Sequence, residues 1–452
     1  MSSIPLLAHT SPEDVVAWRA GRAISARQFV ADAQALAALL PAGRHVLNVC
    51  SDRYRFAIGF AASLIAGRTS LLPPTQVPEV IRQLRSFAPD AFCLTDDAHC
   101  DIDLPRLQCP EAHATPPAGF AVPCIDAGLL AAQVFTSGST GVPLPHAKTW
   151  GFLAADVSVG AQRIGFGHAR RWAIVATVPP QHMYGLESSL LVAWRAGQAF
   201  CAERPFYPAD IAATLAAVPR PRLLVSTPVH LRALLAAGID VPELACVMCA
   251  TAPLDVQLAA EVESRLGTNV LEIYGSTETG QIASRHTTSG EPWSPWPGVT
   301  LQQRDGRVFA QGGHLPAATP LGDLLDVLPD GRFLLRGRTE DMINIAGKRS
   351  SLAYLNHQLA AIPGVVDGAF FLPDEALRHS AIGTTRLAAA VVAPGLHSDD
   401  ILRALRARVD AVFLPRPLLQ VERIPRNSTG KLTHAALQAL ASRAAPRMEP
   451  GA

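Results

Sequence analysis

The chain has 452 residues, of which 49% are hydrophobic and 17% charged, and its formal net charge is +1. This length exceeds one ordinary hydrophobic core, so two or more domains are expected, and the composition excludes a wholly disordered protein. The near balance of 39 basic and 38 acidic residues gives no support to a nucleic-acid or anionic-membrane partner, because both favour a basic excess.

The N-terminal segment and the apolar runs bear on location. The start, MSSIPLLAHTSPEDVV, lacks a basic region followed by an apolar core, so no secretory signal is predicted and we expect a cytoplasmic protein. The apolar run 57–67 is too short to span a bilayer and predicts a buried helix. No membrane span is therefore expected.

From residue 45 to residue 272, short apolar runs alternate with longer stretches of helical periodicity. The runs typical of buried strands are HVLNVC, RWAIVATV, PRLLVST, LACVMC and NVLEIY. The stretches typical of helices are PADIAATLAAV, PVHLRALLAAG and LDVQLAAEVESRL. Such alternation predicts parallel sheets covered by helices, with ligands bound at the carboxyl ends of the strands.

Two of the eight cysteines, Cys246 and Cys249, form a CxxC pattern within LACVMCA. A zinc site needs a second pair of ligands at a suitable spacing, and the sequence has none. We therefore expect buried, reduced cysteines in a strand here, and no metal or redox site.

The segment TSGSTG occupies residues 136–141 and directly follows the apolar run AAQVF. Clusters of glycine and serine are typical of flexible connectors. They are equally typical of phosphate-binding loops, because glycine lets several backbone N–H groups converge and hydroxyls add donors. The spacing of a P-loop is absent, since Val142, Pro143 and Leu144 follow Gly141. The segment alone leaves both interpretations open.

After Gly280 the pattern changes. VTLQQRDGRVFA and DLLDVLPDGRFLLRG each carry Asp-Gly between apolar runs, which predicts two hairpins. A second α/β segment with the strand LAAAVVA and the helix DDILRALRARVDAVF runs from about residue 341 to the end. We predict an α/β protein whose large domain, residues 1–338, combines helix-covered parallel sheets with a β-rich subdomain. A small, mobile α+β domain, residues 341–452, would follow a charged hinge near 338–341.

Four segments in order carry a family resemblance: TSGSTG at 136–141, YGSTETG at 274–280, GD-LL with RGRTED at 322–341, and PRNSTGK at 425–431. Each is weak alone, but together the ordered set resembles the adenylate-forming superfamily of acyl-CoA synthetases, peptide-synthetase adenylation domains and luciferases. The resemblance covers about residues 45–440. It implies an ATP- and Mg²⁺-dependent ligase that forms an acyl-AMP and then a thioester.

The resemblance also implies roles for single residues. Thr277 would donate to the α-phosphate, Glu278 would hold Mg²⁺, and Lys431 would approach both the carboxylate and the α-phosphate, with His182 beside the acid. Tyr274 would stack on adenine and Asp323 would bind the ribose, with Arg338 nearby. The predicted ATP-binding residues are Thr136, Ser137, Gly138, Ser139, Thr140, Gly141, Tyr274, Gly275, Ser276, Asp323 and Arg338. The predicted acid-pocket residues are His182, Tyr184, His230, Ala250, Thr251 and Ala252.

Each of these residues, taken singly, also fits a structural role, such as a surface carboxylate for Glu278, a solvated lysine for Lys431 or a core histidine for His182. The sequence also departs from the family pattern. Pro-Leu-Pro replaces the usual Pro-Lys-Gly after the phosphate loop, and Lys148 is a candidate for the missing charge. The hinge position is Glu340. Ala250 and Thr251 stand where relatives often have two glycines, which predicts a narrowed acid pocket.

The segments TPVHL and GKRSSLAYLN resemble enzymes that load hydroxybenzoates onto carrier proteins for xanthomonadin or aryl-polyene pigments. We therefore predict an aryl-acid AMP-ligase, with 3-hydroxybenzoate as the model acid and a separate acyl carrier protein as acceptor. An aryl- or acyl-CoA synthetase is the alternative within the same enzyme class. A nucleotide-binding regulatory protein without activity is a more distant alternative, against which Thr277, Glu278 and Lys431 argue.

Overall fold

The computed structural model describes residues 2–111, 113–137, 143–166, 171–338, 342–345, 348–373, 387–426 and 432–444. The chain divides into two compact units. The first contains residues 1–301 and 310–319, and the second contains residues 302–309 and 320–452. The predicted hinge at 338–341 falls within the second unit and largely outside the described residues, so it stays a prediction.

The first unit contains a six-stranded sheet with the strand order β10-β9-β5-β4-β6-β7. Its strands are β4 (His45–Asn48), β5 (Thr69–Leu72), β6 (Phe92–Thr95), β7 (Arg106–Gln108), β9 (Leu130–Ser137) and β10 (Pro143–Thr149). All neighbours are parallel except β9 and β10, which are antiparallel and pair Ser137 with Pro143. Two short strands, β1 (Ser3–Pro5) and β8 (Cys124–Asp126), form a separate antiparallel pair.

A nine-stranded sheet forms the centre of the first unit, in the order β17-β16-β15-β14-β13-β11-β12-β2-β3. Its strands are β2 (Val15–Arg19), β3 (Arg22–Ser25), β11 (Ala173–Ala176), β12 (Ala199–Cys201), β13 (Arg222–Ser226), β14 (Cys246–Cys249), β15 (Val270–Ser276), β16 (Gly280–Arg285) and β17 (Ser294–Pro295). Strands β12, β11, β13, β14 and β15 are mutually parallel. The parallel, helix-covered sheet predicted from the apolar runs is confirmed.

Helices cover both sheets. They are α1 (Ala26–Leu39), α2 (Arg53–Ile65), α3 (Pro78–Phe87), α4 (Trp150–Ile164), α5 (Met183–Gly185), α6 (Val192–Arg195), α7 (Pro208–Ala216), α8 (Pro228–Ala236) and α9 (Val256–Leu266), with a π-helical turn at Leu186–Leu191. Side chains set their bounds: Thr149 accepts a hydrogen bond from the Phe152 N–H and begins α4, and Gly165 ends it at φ 75°. Helices α7, α8 and α9 bury Leu215, Leu231 and Val262 in the core beside Leu224 and Val247.

The two Asp-Gly hairpins are present as predicted. The first joins β18 (Val299–Arg304) to β19 (Arg307–Gly312), where Asp305 and Gly306 have φ 49° and 73°. Two positive φ angles are what a tight two-residue turn between twisted strands requires, and Asp and Gly supply them at low cost. The second joins β21 (Asp323–Val327) to β22 (Phe333–Arg338). Strand β20 (Thr319–Pro320) lies next to β19.

The remaining elements of the second unit form a small α+β arrangement. Its elements are β23 (Met342–Ile345), β24 (Lys348–Ser351), α10 (Leu352–Ala360), β25 (Asp367–Phe371), β26 (Ala388–Val392), α11 (Ser398–Arg406), β27 (Leu418–Gln420) and α12 (His434–Ala444). Along β25, Phe370 packs with α10 and α11 while Phe371 packs with α12. Successive side chains of a strand point to opposite faces, so this sheet is buried on both sides.

Within the described residues, every helix falls short of the length and apolar character that a bilayer crossing needs. Cys246 and Cys249 are buried in β14, as expected.

Candidate active site

The acid-pocket residues predicted from the sequence lie at one edge of the nine-stranded sheet. Strands β11, β13, β14 and β15 are adjacent and parallel, so their carboxyl ends share that edge. His182 and Tyr184 follow β11, His230 follows β13, and residues 250–252 follow β14. This is the part of a parallel sheet where ligands bind in helix-covered folds.

Tyr184 fixes the segment after β11 to this edge. Its hydroxyl lies 3.2 Å from the carbonyl oxygens of both Ser226 and Met248, to which it donates. Burial raises the pKa of Tyr184 well above its ordinary value, so the phenol stays neutral. Its donor proton is therefore committed to the backbone, whereas its oxygen remains able to accept a hydrogen bond from a ligand.

Two further polar pairs lie at the same edge. The buried hydroxyls of Thr177 and Ser226 are 3.2 Å apart, and Thr227 Oγ1 lies 2.8 Å from Nδ1 of His230. Burial and the nearby Arg204 lower the pKa of His230, so its ring is neutral near pH 7. The edge therefore carries neutral hydroxyl and imidazole groups that can hydrogen-bond to a ligand.

Thr251 has a φ of 80°, in the left-handed region. A β-branched residue in this region is a real outlier, because its Cβ crowds the backbone. Such strain persists only where surrounding structure holds it, and it concentrates at binding and catalytic sites. Its neighbour Ala250 is buried. That Ala250 and Thr251 narrow an acid pocket stays a prediction, and the structure adds that the backbone at Thr251 is strained.

The segment YGSTETG forms the hairpin between β15 and β16. Ser276 and Thr279 close it through mutual hydrogen bonds: the Ser276 N–H donates to Thr279 Oγ1 at 3.1 Å, and the Thr279 N–H donates to Ser276 Oγ at 3.3 Å. Thr277 is half-buried at the tip and Glu278 is exposed. A side chain at Gly275 would collide with the Gly280 carbonyl oxygen, so the two strands approach too closely for any other residue.

Tyr274 is supported by an aromatic residue that sequence reasoning missed. Its ring lies 5.6 Å from the ring of Trp293, and the guanidinium of Arg285 lies 4.5 Å from the Trp293 ring on which it packs. Arg285 in turn donates to the buried Glu272 carboxylate at 2.7 Å. The Tyr274 ring is tilted by 57° from the Trp293 ring, and this contact restricts its orientation.

His146 links the end of β9 to the hairpin tip. Its Nε2 lies 3.0 Å from Thr136 Oγ1 and 3.5 Å from Glu278 Oε1. Burial lowers the pKa of His146, with Lys148 also opposing its charge and Glu278 favouring it. The first residue of TSGSTG and the predicted metal-binding carboxylate are therefore neighbours through one imidazole, although they lie far apart in the chain.

Lys148 does not stand in the solvent beside the glycine-rich segment. It is buried, its Nζ donates to the Glu278 carbonyl oxygen at 2.8 Å, and it lies 4.1 Å from the centre of the Phe152 ring. Burial lowers the pKa of Lys148, whereas the carboxyls of Glu187 and Asp156 favour its charged form. Whether Lys148 also replaces the lysine missing after TSGSTG stays a prediction, because residues 138–142 lie outside the described chain.

Two buried carboxyls lie behind the hairpin. Asp156 on α4 and Glu187 on the π-helical turn are 0% and 2% exposed. Burial and the neighbouring Glu187 raise the pKa of Asp156 well above its ordinary range, and burial also raises the pKa of Glu187. The Gln281 N–H donates to Asp156 Oδ2 at 3.3 Å, so the pair contacts the strand that leaves the hairpin.

The part of the chain that contains this site also matches a known protein family. Residues 7–312 match the model of the AMP-binding enzyme family. The chain belongs to the AMP-binding enzyme family. The prediction of an AMP-forming carboxylic acid–thiol ligase that uses ATP and Mg²⁺ is confirmed at the level of this family.

Two relatives of this AMP-binding enzyme are ligases that use CoA. It is 31% identical over 281 residues to a 4-coumarate–CoA ligase from Rhodobacter capsulatus, a match that covers 61% of this chain and 67% of the relative. It is 25% identical over 358 residues to a 2-hydroxy-7-methoxy-5-methyl-1-naphthoate–CoA ligase from Streptomyces carzinostaticus, with 68% of this chain and 62% of the relative covered. The chain thus spans less than two thirds of the second relative's length.

Among solved structures, the AMP-binding enzyme is similar to o-succinylbenzoate CoA synthetase from Bacillus subtilis in complex with its acyl-adenylate intermediate. The TM-score is 0.79 at 18% identity, and the alignment covers 97% of this chain and 99% of the other. This likeness confirms the predicted α/β fold with its strand-rich parts and C-terminal α+β region.

The chemistry of the residues present fits Mg²⁺ that arrives with a nucleotide. The described residues contain no group of three or more His, Cys, Asp or Glu side chains that could hold a metal ion. Mg²⁺ is usually held by one or two carboxylates together with substrate phosphates, so a single accessible carboxylate is sufficient. Glu278 meets this need, because its side chain is 41% exposed and lies at the hairpin tip.

Some predicted site residues lie in the second unit, and others lie outside the described residues. Asp323 and Arg338 are cross-strand partners in the β21–β22 hairpin of the second unit, and their ribose-binding role stays a prediction. The side chains of Ser137 and Arg338 are not described. The predicted residues outside the described chain are Gly138, Ser139, Thr140, Gly141, Glu340 and Lys431.

The sequence contained one signal for the residues that were missed. Asp156 lies in the otherwise apolar stretch WGFLAADVSVG, and Glu187 lies in MYGLESSLLVAW. A single acidic residue within a buried helix is rare, since ionisable groups are seldom fully buried without a partner. His146, Gln281 and Trp293 carry no comparable signal.

Proposed function

We propose that this enzyme activates an aromatic carboxylic acid, with a hydroxybenzoate such as 3-hydroxybenzoate as the best candidate. In the first half-reaction the carboxylate attacks the α-phosphorus of ATP, and acyl-AMP and pyrophosphate form. In the second, a thiol attacks the acyl carbon, the thioester forms and AMP leaves. The observation that carries the proposal is the polar edge of the nine-stranded sheet, where Tyr184, His230 and Thr251 follow neighbouring strands.

The pocket wall supports a flat, compact acid. Ala250 is buried and Thr251 is held at φ 80°, so side chains occupy a wall that glycines would leave open. A ring fits a narrow slot without ordering many rotatable bonds, whereas a long chain needs a deep tunnel and loses more conformational freedom. The names of the two relatives described above, which act on coumarate and on a hydroxylated naphthoate, support an aromatic substrate.

A ring hydroxyl also finds partners at this edge. The oxygen of Tyr184 accepts, and the Thr251 hydroxyl and the His230 and His182 rings offer further donors or acceptors. A site with such groups disfavours plain benzoate, because a buried polar group then loses its partner at a cost of about 1–3 kcal/mol.

The residues for the first half-reaction follow from the hairpin and the C-terminal segment. Thr277 would donate to the α-phosphate, Glu278 would hold Mg²⁺, and the cation of Lys431 would reduce repulsion between the carboxylate and the phosphate. Mg²⁺, when bound, neutralises phosphate charge. Tyr274, fixed by Trp293, would pack against adenine, and Asp323 with Arg338 would bind the ribose.

For the acceptor, we infer the phosphopantetheine thiol of a separate carrier protein. The resemblance of TPVHL and GKRSSLAYLN to carrier-loading enzymes supports it. CoA is the second candidate, and the names of both relatives favour it. The two acceptors share the same thiol arm, so only direct comparison separates them.

The test is a screen by ATP–pyrophosphate exchange with hydroxybenzoates, benzoate, cinnamates and medium-chain fatty acids, followed by thioester formation with CoA and with a holo carrier protein offered separately. We expect kcat/KM to be at least about tenfold higher for 3-hydroxybenzoate than for benzoate, because benzoate leaves one buried hydrogen-bonding group without a partner. A preference for a fatty acid would show that the proposed substrate is wrong, and faster transfer to CoA would show that the proposed acceptor is wrong. The matched control is Lys431→Ala with the same acids.

A further inference from the structure

A buried polar network holds the hairpin that carries Thr277 and Glu278. Its three ionisable members, Lys148, Asp156 and Glu187, lie on β10, on α4 and on the π-helical turn and are each 0–2% exposed. Together these side chains supply two carboxyl groups and one ammonium group. Buried charge is costly unless it is balanced, so the net charge is zero only if the carboxyl pair holds one proton.

The contacts of the carboxyl pair support one proton shared between them. Asp156 and Glu187 are within hydrogen-bonding reach of each other. In the described part of the chain, Asp156 Oδ1 and Glu187 Oε1 have no hydrogen-bond partner. Two ionised carboxylates cannot hydrogen-bond to each other, whereas one shared proton supplies the donor that such a bond needs.

The contacts of the network with the hairpin are made to its backbone. Lys148 Nζ donates to the Glu278 carbonyl oxygen at 2.8 Å, and His314 Nε2 lies 2.7 Å from the Thr279 carbonyl oxygen. The Gln281 N–H donates to Asp156 Oδ2. The segment 278–281 is thus held from behind at three positions, while the side chains of Thr277 and Glu278 stay available in front.

Gly280 shows how closely the hairpin and the carboxyl pair fit. A side chain there would collide with Asp156 Oδ2 and come within 3.0 Å of Glu187 Oε1, and the φ of Gly280 is 67°. Among the described residues, His314 also lies beside the pair, and its Nε2 is 3.9 Å from Asp156 Oδ1. Burial lowers the pKa of His314, so it adds no charge near pH 7.

We propose that Lys148, Asp156 and Glu187 form a neutral buried network with one proton shared by the two carboxyls, and that this network positions the hairpin for adenylation. The three are positioning residues, since they act on the nucleotide only through the backbone of the segment 278–281. The positioning role rests on the proposed function, whereas the charge state does not.

The test compares Asp156→Asn, Glu187→Gln and the double variant. Each single change replaces one carboxyl by an isosteric amide and leaves one carboxylate for Lys148, so we expect a fall in Tm of no more than about 3 °C and a change in exchange rate within about threefold. The double variant leaves the ammonium alone, and its Tm should fall by at least about 6 °C more than the sum of the singles.

Adding Lys148→Met to the double variant removes the last buried charge. We expect this triple variant to regain most of the lost Tm, whereas its kcat for pyrophosphate exchange should fall below that of the double variant, because Lys148→Met removes the donor to the Glu278 carbonyl oxygen. The KM for the acid should stay within about twofold, since the acid pocket is untouched. A merely structural role would restore kcat together with Tm.

The matched control combines Glu187→Gln with Asp32→Asn, a buried carboxyl that is bound by Tyr54 and His113. This pair should be additive in Tm. If the Tm changes of Asp156→Asn and Glu187→Gln are additive in the double variant, the proposal of a shared proton is wrong. If either single variant has a higher Tm than the wild type, both carboxyls are ionised in the wild type. If the wild-type enzyme catalyses no pyrophosphate exchange with any acid, the proposed function fails, and the Tm pattern still decides the charge state.

Discussion

Thr136 Oγ1 lies 3.0 Å from Nε2 of His146, so the first hydroxyl of TSGSTG is bound by a residue of the next strand. The same ring nitrogen is 3.5 Å from Glu278 Oε1. One imidazole therefore contacts both of the segments to which we assign the phosphates and the metal ion. His146 thus connects Thr136 with the Glu278 side chain within the described part of the first unit.

Lys431→Ala should lower acid-dependent pyrophosphate release at least about 100-fold while Tm stays unchanged, because the lysine is assigned to charge in the transition state. The measurement is single-turnover pyrophosphate release together with a thermal melt. Near-normal release from the variant would show that the assignment is wrong.

Glu340→Pro should spare adenylation and impair thioester formation from pre-made acyl-AMP. The physical reason is that a hinge absorbs changes in φ and ψ, whereas proline fixes φ and removes an N–H donor. The two half-reactions are assayed separately, with Glu340→Ala as the control that keeps the backbone free. An equal loss of both half-reactions would indicate misfolding rather than a hinge.

Thr251→Gly should raise stability and widen the range of acids. Glycine adopts a φ of 80° without crowding, so relief of strain outweighs its greater chain entropy by about 1 kcal/mol, or roughly 2–4 °C in Tm. The removed side chain also opens the pocket wall, and kcat/KM for cinnamates should rise relative to hydroxybenzoates. Thr251→Ala is the control, since it shortens the side chain but keeps the strained Cβ; an equal gain in Tm from both variants would contradict the strain.

The stability of the first unit should fall as the pH drops below about 6.5. His9 is 3% exposed, its Nε2 lies 3.1 Å from the Gln198 carbonyl oxygen, and burial lowers its pKa to about 4. Below about pH 6.5, His9 binds a proton in the unfolded chain but not in the folded chain. The free energy of unfolding therefore declines until about pH 4, by up to about 3 kcal/mol.

His9→Gln keeps a donor for the Gln198 carbonyl and removes the titration. Denaturant unfolding at about pH 7 and about pH 4.5 should show a larger loss for the wild type than for this variant. Parallel losses would exclude His9 as the cause, because the other titrating groups are common to both proteins.

The sequence predicted best those elements that depend on residues close together in the chain, such as strands and tight turns. The strands β13, β14 and β15 follow from apolar runs, and the turn at Asp305 and Gly306 follows from two residues that tolerate positive φ. The acid-pocket residues were predicted from the family resemblance, and the order of the parallel strands explains why they share one edge, since the residues after each strand lie at the same edge.

The contacts behind the hairpin were not predictable in this way. Lys148 meets the Glu278 backbone and Asp156 meets Glu187 only after the sheets have packed, and no local pattern records such pairs. The strain at Thr251 is likewise a product of the closed structure. Asp156 and Glu187 could have been suspected as acids in apolar runs, but their partners could not.

Pro143 and Pro145 have a consequence for association between molecules. Both lie on β10, the outermost strand of the six-stranded sheet, and they pair in register with Ser137 and Phe135 of β9. Because the two prolines are two residues apart and leave this ladder intact, their nitrogens face away from β9. That side of the strand therefore lacks two N–H donors, and a strand of another molecule cannot extend the sheet there, which protects the enzyme from edge-to-edge aggregation while it is concentrated or freshly synthesised.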